Sequence, residues 1–114
     1  MHYIDGLLSV RDALTMMKEK GVDSLIIQKR NDADANGIIT LAGIIRGVSL
    51  TKKTIDEVSI YEVMTKPVIA IPAHMNLKYV PRLMHNCNIS VAPVEENGEY
   101  IGMINFKSIL FHEV

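Results

Sequence analysis

Val10, Ala13, Leu14 and Met17 fall at the i, i+3, i+4, i+7 spacing of one helix face within VRDALTMMKEK. Ser9 stands before this segment and can cap its first turn, and Gly21 suits the left-handed residue that ends it. SLIIQK then reads as a short strand rich in β-branched residues. RNDADAN turns the chain, GIITL returns as a second strand, and LAGIIRGV reads as a short helix. The same order recurs downstream, with Asn76 as cap, LKYVPRLMHNC as helix, SVAPVE and YIGMIN as strands, and FKSILFHE as the final helix. Asn97-Gly98 between those strands is the strongest short hairpin signal, because both residues tolerate positive φ. Pro81 conflicts with the helix around it, since it removes a hydrogen bond and crowds the preceding turn. A bent first turn or a later helix start is expected there.

The two patterns superpose. At an offset of 67, Val10 meets Leu77, Ala13 meets Val80, Met17 meets Met84, Val22 meets Ile89 and Ile27 meets Val94. At an offset of 65, Gly37 meets Gly102, Ile39 meets Ile104, Leu41 meets Phe106 and Ile44 meets Ile109. The change of offset falls at a turn, where a length change costs least. VIAI, between Pro67 and Pro72, predicts a strand entering the second copy, and HYIDGLL supplies a less distinct one to the first. The expectation is an α/β (α+β) chain of two β-α-β-β-α repeats. The first repeat spans 1–53, a linker 54–67, and the second repeat 68–114.

Composition narrows the function classes. Twelve Lys and Arg against thirteen Asp and Glu give a net charge of −1, without the concentrated basic face that nucleic acid requires. No run of about 18 apolar residues exists to span a bilayer. MHYIDGLLSV lacks the basic and apolar regions of a signal peptide. Cys87 is the single cysteine, so no internal disulfide forms and no CxxC pair offers a zinc site. A reducing, cytoplasmic setting is expected.

Three groups have candidate chemistry. Asp32, Asp34, Asn36 and Gly37 copy the first half of a calcium-binding loop, but Gly43 stands where a bidentate glutamate belongs and the flank before it reads as strand. A polar turn is the reading preferred, and no metal site is assigned. His85 and Cys87, with His74 nearby, lack the three or four converging ligands of a metal centre. A catalytic Cys-His pair would need a base at hydrogen-bond distance and an oxyanion site. Arg46, Lys52 and Lys53 form a small basic group at a helix C-terminus, where cations favour the dipole. Most of the seven methionines, among them Met16, Met17 and Met84, occupy helical core positions, which adaptable packing explains.

VMTKPVIAIP followed by a helix and NISVAPVEENGEYIGMINFKSIL resembles the repeat of the CBS-domain family, named after cystathionine β-synthase. GVDSLIIQ and GIITLAGII resemble it in the first half. The resemblance covers roughly residues 5 to 112 and implies a CBS pair, two repeats packed with pseudo-two-fold symmetry around clefts that in relatives hold AMP, ATP or S-adenosylmethionine. It implies that adenine would lie against Val22 to Ile26 in one copy and Ile89 to Pro93 in the other. The implied ligand-binding set is Thr40, Gly43, Ile71, Pro72, Ile89, Ser90, Ala92, Pro93, Asn105 and Ser108. Thr40 matches the family's phosphate- or ribose-binding hydroxyl, and Asn105 replaces it in the second copy. Gly43 and Ser108 stand where relatives carry a ribose-binding aspartate. Losing such a charge-assisted bond weakens binding by about tenfold or more.

The expected function is therefore a non-catalytic regulatory module that senses an adenosyl-type ligand and requires no cofactor, with preference for the second-copy cleft. The alternative is a structural dimerisation module with degenerate nucleotide sites. An enzyme reading rests on His85 and Cys87 alone. A homodimer is expected through the repeat helices, whose Leu14, Met16, Met17, Val80, Leu83 and Met84 exceed what one small sheet covers.

Overall fold

The computed structural model describes residues 1–114, which divide into two compact units, Met1–Val68 and Ile69–Val114. In the first, Ser9 opens helix α1 (Val10–Lys20) with a capping box. Its Oγ accepts the Asp12 N–H at 3.2 Å, and the Asp12 carboxylate accepts the Ser9 N–H at 3.0 Å. Gly21, at φ 67°, ends the helix in the left-handed conformation. Strands β1 (Tyr3–Ile4), β2 (Ser24–Ile27) and β3 (Gly37–Thr40) form a sheet in that order, with β1 parallel and β3 antiparallel to β2. Helix α2 (Leu41–Gly47) follows β3, then a 3-10 turn at Ser49–Thr51 and helix α3 (Ile60–Val63).

Val10, Ala13 and Met17 from α1 pack with Ile4, Leu25, Ile27 and Ile39 from the sheet and Ile44 from α2. Residues 54–67, placed between the repeats by the sequence reading, contribute buried Val58 and Ile60 to this same core. Backbone bonds hold the segment there. Val10 N–H donates to Val58 O at 2.9 Å, Ile60 N–H to Leu8 O at 2.8 Å, and Ile38 and Thr65 exchange bonds at 2.9 Å.

The second unit contains β4 (Ile71–Pro72), a 3-10 turn (Leu77–Tyr79), α4 (Val80–Asn86), β5 (Val91–Glu96), β6 (Glu99–Asn105) and α5 (Phe106–His112). Its sheet order is β4-β5-β6, with β4 parallel and β6 antiparallel to β5. The helix expected from Leu77 is split. Asn76 Oδ1 accepts the Lys78 N–H at 3.1 Å and caps the 3-10 turn, and the α-helix begins at Val80. Pro81 therefore lies in the first turn, where a missing N–H breaks no intrahelical bond. The strand expected over VIAI shrinks to Ile71–Pro72, because Val68 N–H pairs instead with Asn36 O at 2.9 Å. Asn97 at φ 53° and Gly98 at φ 81° form the expected tight turn.

The duplication extends to individual backbone pairs. Leu25 faces Ile39 and Ala92 faces Ile104, while Ile27 faces Ile4 and Val94 faces Ile71. Asn88, at φ 57°, repeats the left-handed cap of Gly21. The helix face expected to be free for dimerisation is largely consumed: Met17, Val80 and Met84 are buried, because α1 and α4 are the helices that close their own cores. Leu14, Met16 and Leu83 are half-buried. Exposed apolar side chains lie instead on α2 and α5, at positions related by the 65-residue offset: Leu41 with Phe106, and Ile45 with Leu110. No helix is long and apolar enough to cross a membrane.

Candidate ligand-binding site

Both units place a polar residue where the last strand becomes a helix. Thr40 ends β3 with extended backbone, and its Oγ1 accepts the Gly43 N–H at 3.0 Å, capping α2. Asn105 ends β6 in the same way. Its Oδ1 accepts the Ser108 N–H at 2.8 Å, its own N–H donates to Ser108 Oγ at 2.9 Å, and Ser108 Oγ donates to Asn105 O at 2.8 Å. These residues fall here because short polar side chains satisfy the helix donors that have no intrahelical partner. The polar pairs of the two copies thus cap helices whether or not they meet a ligand.

The surroundings of the two junctions differ. In the second unit Asn105 pairs with Val91, which brings it beside exposed Ser90. Half-buried Ile89 adjoins, with its N–H on Met84 O at 2.9 Å, and Ser108 is exposed. Ile89, Ser90, Asn105 and Ser108 therefore gather at one end of the β5–β6 hairpin. Ala92 and Pro93 are buried within the strand. Ile71 is a core residue that pairs with Val94, and Pro72 pairs with Glu95. Three residues separate Val94 from Val91, which puts Ile71 and Pro72 roughly 10 Å along the sheet from the polar cluster. In the first unit, a Cβ on Gly43 would lie 3.3 Å from Val63 O and 3.4 Å from Thr40 Oγ1. There the Val63 carbonyl of α3 crowds the first atom of any side chain.

The opposite ends of the strands hold two concavities, of whose lining the expected ligand-binding set had named only Pro72. One, of about 360 Å³, is bordered by Asp5 and Leu7 after β1 and Gln28 after β2, with Tyr61, Met64 and Lys66 forming another wall. The other, of about 600 Å³, is bordered by Pro72 at the end of β4, by Ala73 and His74 after it, and by Glu95, Glu96 and Asn97. Asp5 and Pro72, Leu7 and His74, and Gln28 and Glu95 are all related by 67 residues. Carrying that offset upstream of Val10 is the signal that would have located both.

The loop with partial calcium-loop spacing is organised by its own charges. Asp34 Oδ1 meets Lys66 Nζ at 2.6 Å, while Oδ2 accepts from Arg30 N–H at 2.9 Å and lies 3.3 Å from Arg30 Nε. The Lys66 ammonium, then the Arg30 backbone N–H, hold the Asp34 carboxyl well below the usual carboxylate range. Asn36 Oδ1 accepts the Lys29 N–H at 2.9 Å. No group of three or more His, Cys, Asp or Glu side chains is placed to hold a metal ion. Half-buried Cys87 caps α4 through its backbone N–H on Leu83 O at 3.0 Å, and nearby His85 is exposed.

Comparison with known proteins places this architecture. The family pattern described as "CBS domain" matches residues 60–113. An uncharacterised protein of Methanopyrus kandleri is 33% identical over 95 residues, covering 82% of this chain and 48% of its relative. The hexameric CBS-CP12 protein of bloom-forming cyanobacteria is 32% identical with a TM-score of 0.91, over 97% of this chain and 64% of that one. This chain thus spans less than two-thirds of either relative. A putative signal-transduction protein with CBS domains from Burkholderia ambifaria has TM-score 0.89 at 24% identity, covering 100% of this chain and 82% of that one. The CBS domain pair of protein MJ0100, in complex with 5′-methylthioadenosine and S-adenosylmethionine, has TM-score 0.80 at 23% identity, covering 99% and 91%. With a duplicated β-α-β-β-α unit over its whole length and the family's pattern on its second half, the chain belongs to the CBS-domain family.

Proposed function

We propose that the chain is a non-catalytic regulatory module that takes a small adenosyl-type ligand, of the class of AMP, ATP or S-adenosylmethionine, at the second-copy junction. The observation that carries this reading is the exposed polar end of the β5–β6 hairpin, where Ser90, Asn105 and Ser108 stand beside Ile89. The fold shared with an adenosyl-bound CBS pair supports it. Ser108 Oγ offers a hydroxyl to a ribose oxygen, and Ile89 offers apolar surface to a purine. A few well-placed polar groups suffice to orient a ligand. Regulation follows from differential affinity: a ligand that prefers one conformation shifts the population toward it.

Thermal melting with AMP, ATP and S-adenosylmethionine tests the proposal. A ligand at about 100 times its Kd adds ~2.7 kcal/mol of stability, a readily visible rise in Tm. Identical melts with and without all three at millimolar concentration overturn it.

Exposed Leu41 and Ile45 on α2, and exposed Phe106 and Leu110 on α5, favour homodimerisation through these two helices, since exposed apolar surface marks interfaces and two-fold closure is the commonest assembly. The same surface supports the second reading, a dimerisation module whose polar junctions serve only as helix caps. Silent melts together with a dimer in native mass spectrometry select that reading.

A further inference from the structure

The cavity at the outgoing ends of β1 and β2 lies at the opposite strand ends from the capped junctions and serves neither reading above. Its lining combines two cations, Arg30 and Lys66, with two carboxylates, Asp5 and Asp34, around an apolar wall that includes Leu7, Tyr61 and Met64. Asp34 is already committed: Lys66 Nζ takes one oxygen at 2.6 Å, and the Arg30 backbone and Nε take the other at 2.9 and 3.3 Å. This pairing pins both cations while leaving further N–H donors on each, because an ammonium carries three and a guanidinium five. Asp5 uses only Oδ1, which accepts the Leu7 N–H at 2.9 Å. Its other oxygen is available at a turn held by that bond. Leu7 and Tyr61 are 73% and 54% exposed, so the apolar wall is open to a ligand rather than filled by the protein.

We propose that this cavity binds a zwitterionic α-amino acid with a large apolar side chain. The amino acid's carboxylate meets the Arg30–Lys66 pair, its ammonium meets Asp5, and its side chain lies against Leu7, Tyr61 and Met64. The charges balance, since a net-neutral set of two cations and two anions takes a net-neutral ligand with separated poles. Size agrees as well: about 360 Å³ lies at the small end of ligand pockets. The repeat-related concavity of the second unit provides an internal control. It has Glu95, Glu96 and His74 but no Arg or Lys, so it offers nothing comparable for a carboxylate.

The test is an NMR titration of the isotope-labelled full chain with L-phenylalanine, 3-phenylpropionate and phenethylamine, the last two lacking the ammonium and the carboxylate respectively. L-Phenylalanine is expected to shift the amides of Gly6, Leu7, Met64 and Lys66 saturably, with each half-charged analogue about tenfold weaker. Asp5→Asn keeps the Oδ1 acceptor for Leu7 and removes the charge, so it should abolish the preference for L-phenylalanine over 3-phenylpropionate. Arg30→Gln, on an exposed side chain, should weaken L-phenylalanine and 3-phenylpropionate but not phenethylamine. Equal affinity for all three probes, an unchanged preference in Asp5→Asn, or shifts centred on Ser90, Asn105 and Ser108 overturn the proposal. AMP titrated into the same sample reports on those three residues separately, so failure of one site is distinguishable from failure of the other.

Discussion

Replacing Gly43 or Ser108 by aspartate restores the acid that CBS relatives carry, and the two junctions predict opposite costs. Ser108 is exposed and already serves as the third residue of a capping box. Aspartate fills that role at the equivalent position in α1, where the Asp12 carboxylate accepts the Ser9 N–H at 3.0 Å. Ser108→Asp should therefore leave stability within about 0.5 kcal/mol of the wild type, the range of ordinary surface changes. A ribose hydroxyl bonded to the new carboxylate gains ~1.5–3 kcal/mol, about tenfold or more in Kd. Gly43 is different, because its Cβ would sit 3.3 Å from the backbone oxygen of Val63 and 3.4 Å from Thr40 Oγ1. Moving α3 aside costs ~1–3 kcal/mol as overpacking, offset by at most ~1 kcal/mol of helix propensity gained over glycine. Denaturant unfolding gives the stabilities, and melting with AMP gives the ligand response. Ser108→Asp should enlarge the AMP-induced shift at unchanged basal stability, and Gly43→Asp should lose basal stability with little gain in response. If Gly43→Asp is as stable as the wild type and responds more strongly than Ser108→Asp, the reasoning from the two junctions fails.

A Cβ on Gly47 would run into the Val63 side chain, so Gly47→Ala should destabilise by ~1–3 kcal/mol and the double variant with Val63→Ala should recover part of the loss. A Gly47→Ala single variant as stable as the wild type in urea would refute the close approach of α2 and α3. Asp34 has its carboxyl held below the unfolded value of about 3.9, so its contribution is fully present above that pH and is lost as pH falls toward the native value. The Tm difference between wild type and Asp34→Asn should be constant from pH 7 to 5 and shrink below pH 4; a difference that grows on acidification contradicts the Lys66 and Arg30 pairing. Ile45→Glu and Leu110→Glu should convert a light-scattering dimer to monomer without lowering the Tm, and a dimer that survives both places the interface elsewhere.

Local signals that agree with one another carried the sequence reading of the fold. Ser9 and Gly21 bound a strict helical stripe, Asn97-Gly98 admits little but a hairpin turn, and two offsets align both sets of strands. Helix α3 was missed because IYEV is too short to show a period; Ile60 is buried by joining the core cluster that holds Val10, and its N–H bonds to Leu8 O, both tertiary events. VIAI had the composition of a strand, but Val68 found its partner in the loop before β3. The polar junction residues were visible through the repeat, whereas their capping bonds and the space taken by Val63 at Gly43 were not. The Asp34–Lys66 pair joins residues 32 apart in sequence, a distance over which charge pattern carries no information.

Isothermal titration of AMP, ATP and S-adenosylmethionine into the wild-type chain and into Ser108→Asp tests the central claim most directly. At least one of the three should give saturable heat with the wild type, and Ser108→Asp should bind it about tenfold or more tightly. Heats of dilution alone, for all three ligands and both proteins, would contradict an adenosyl-sensing role.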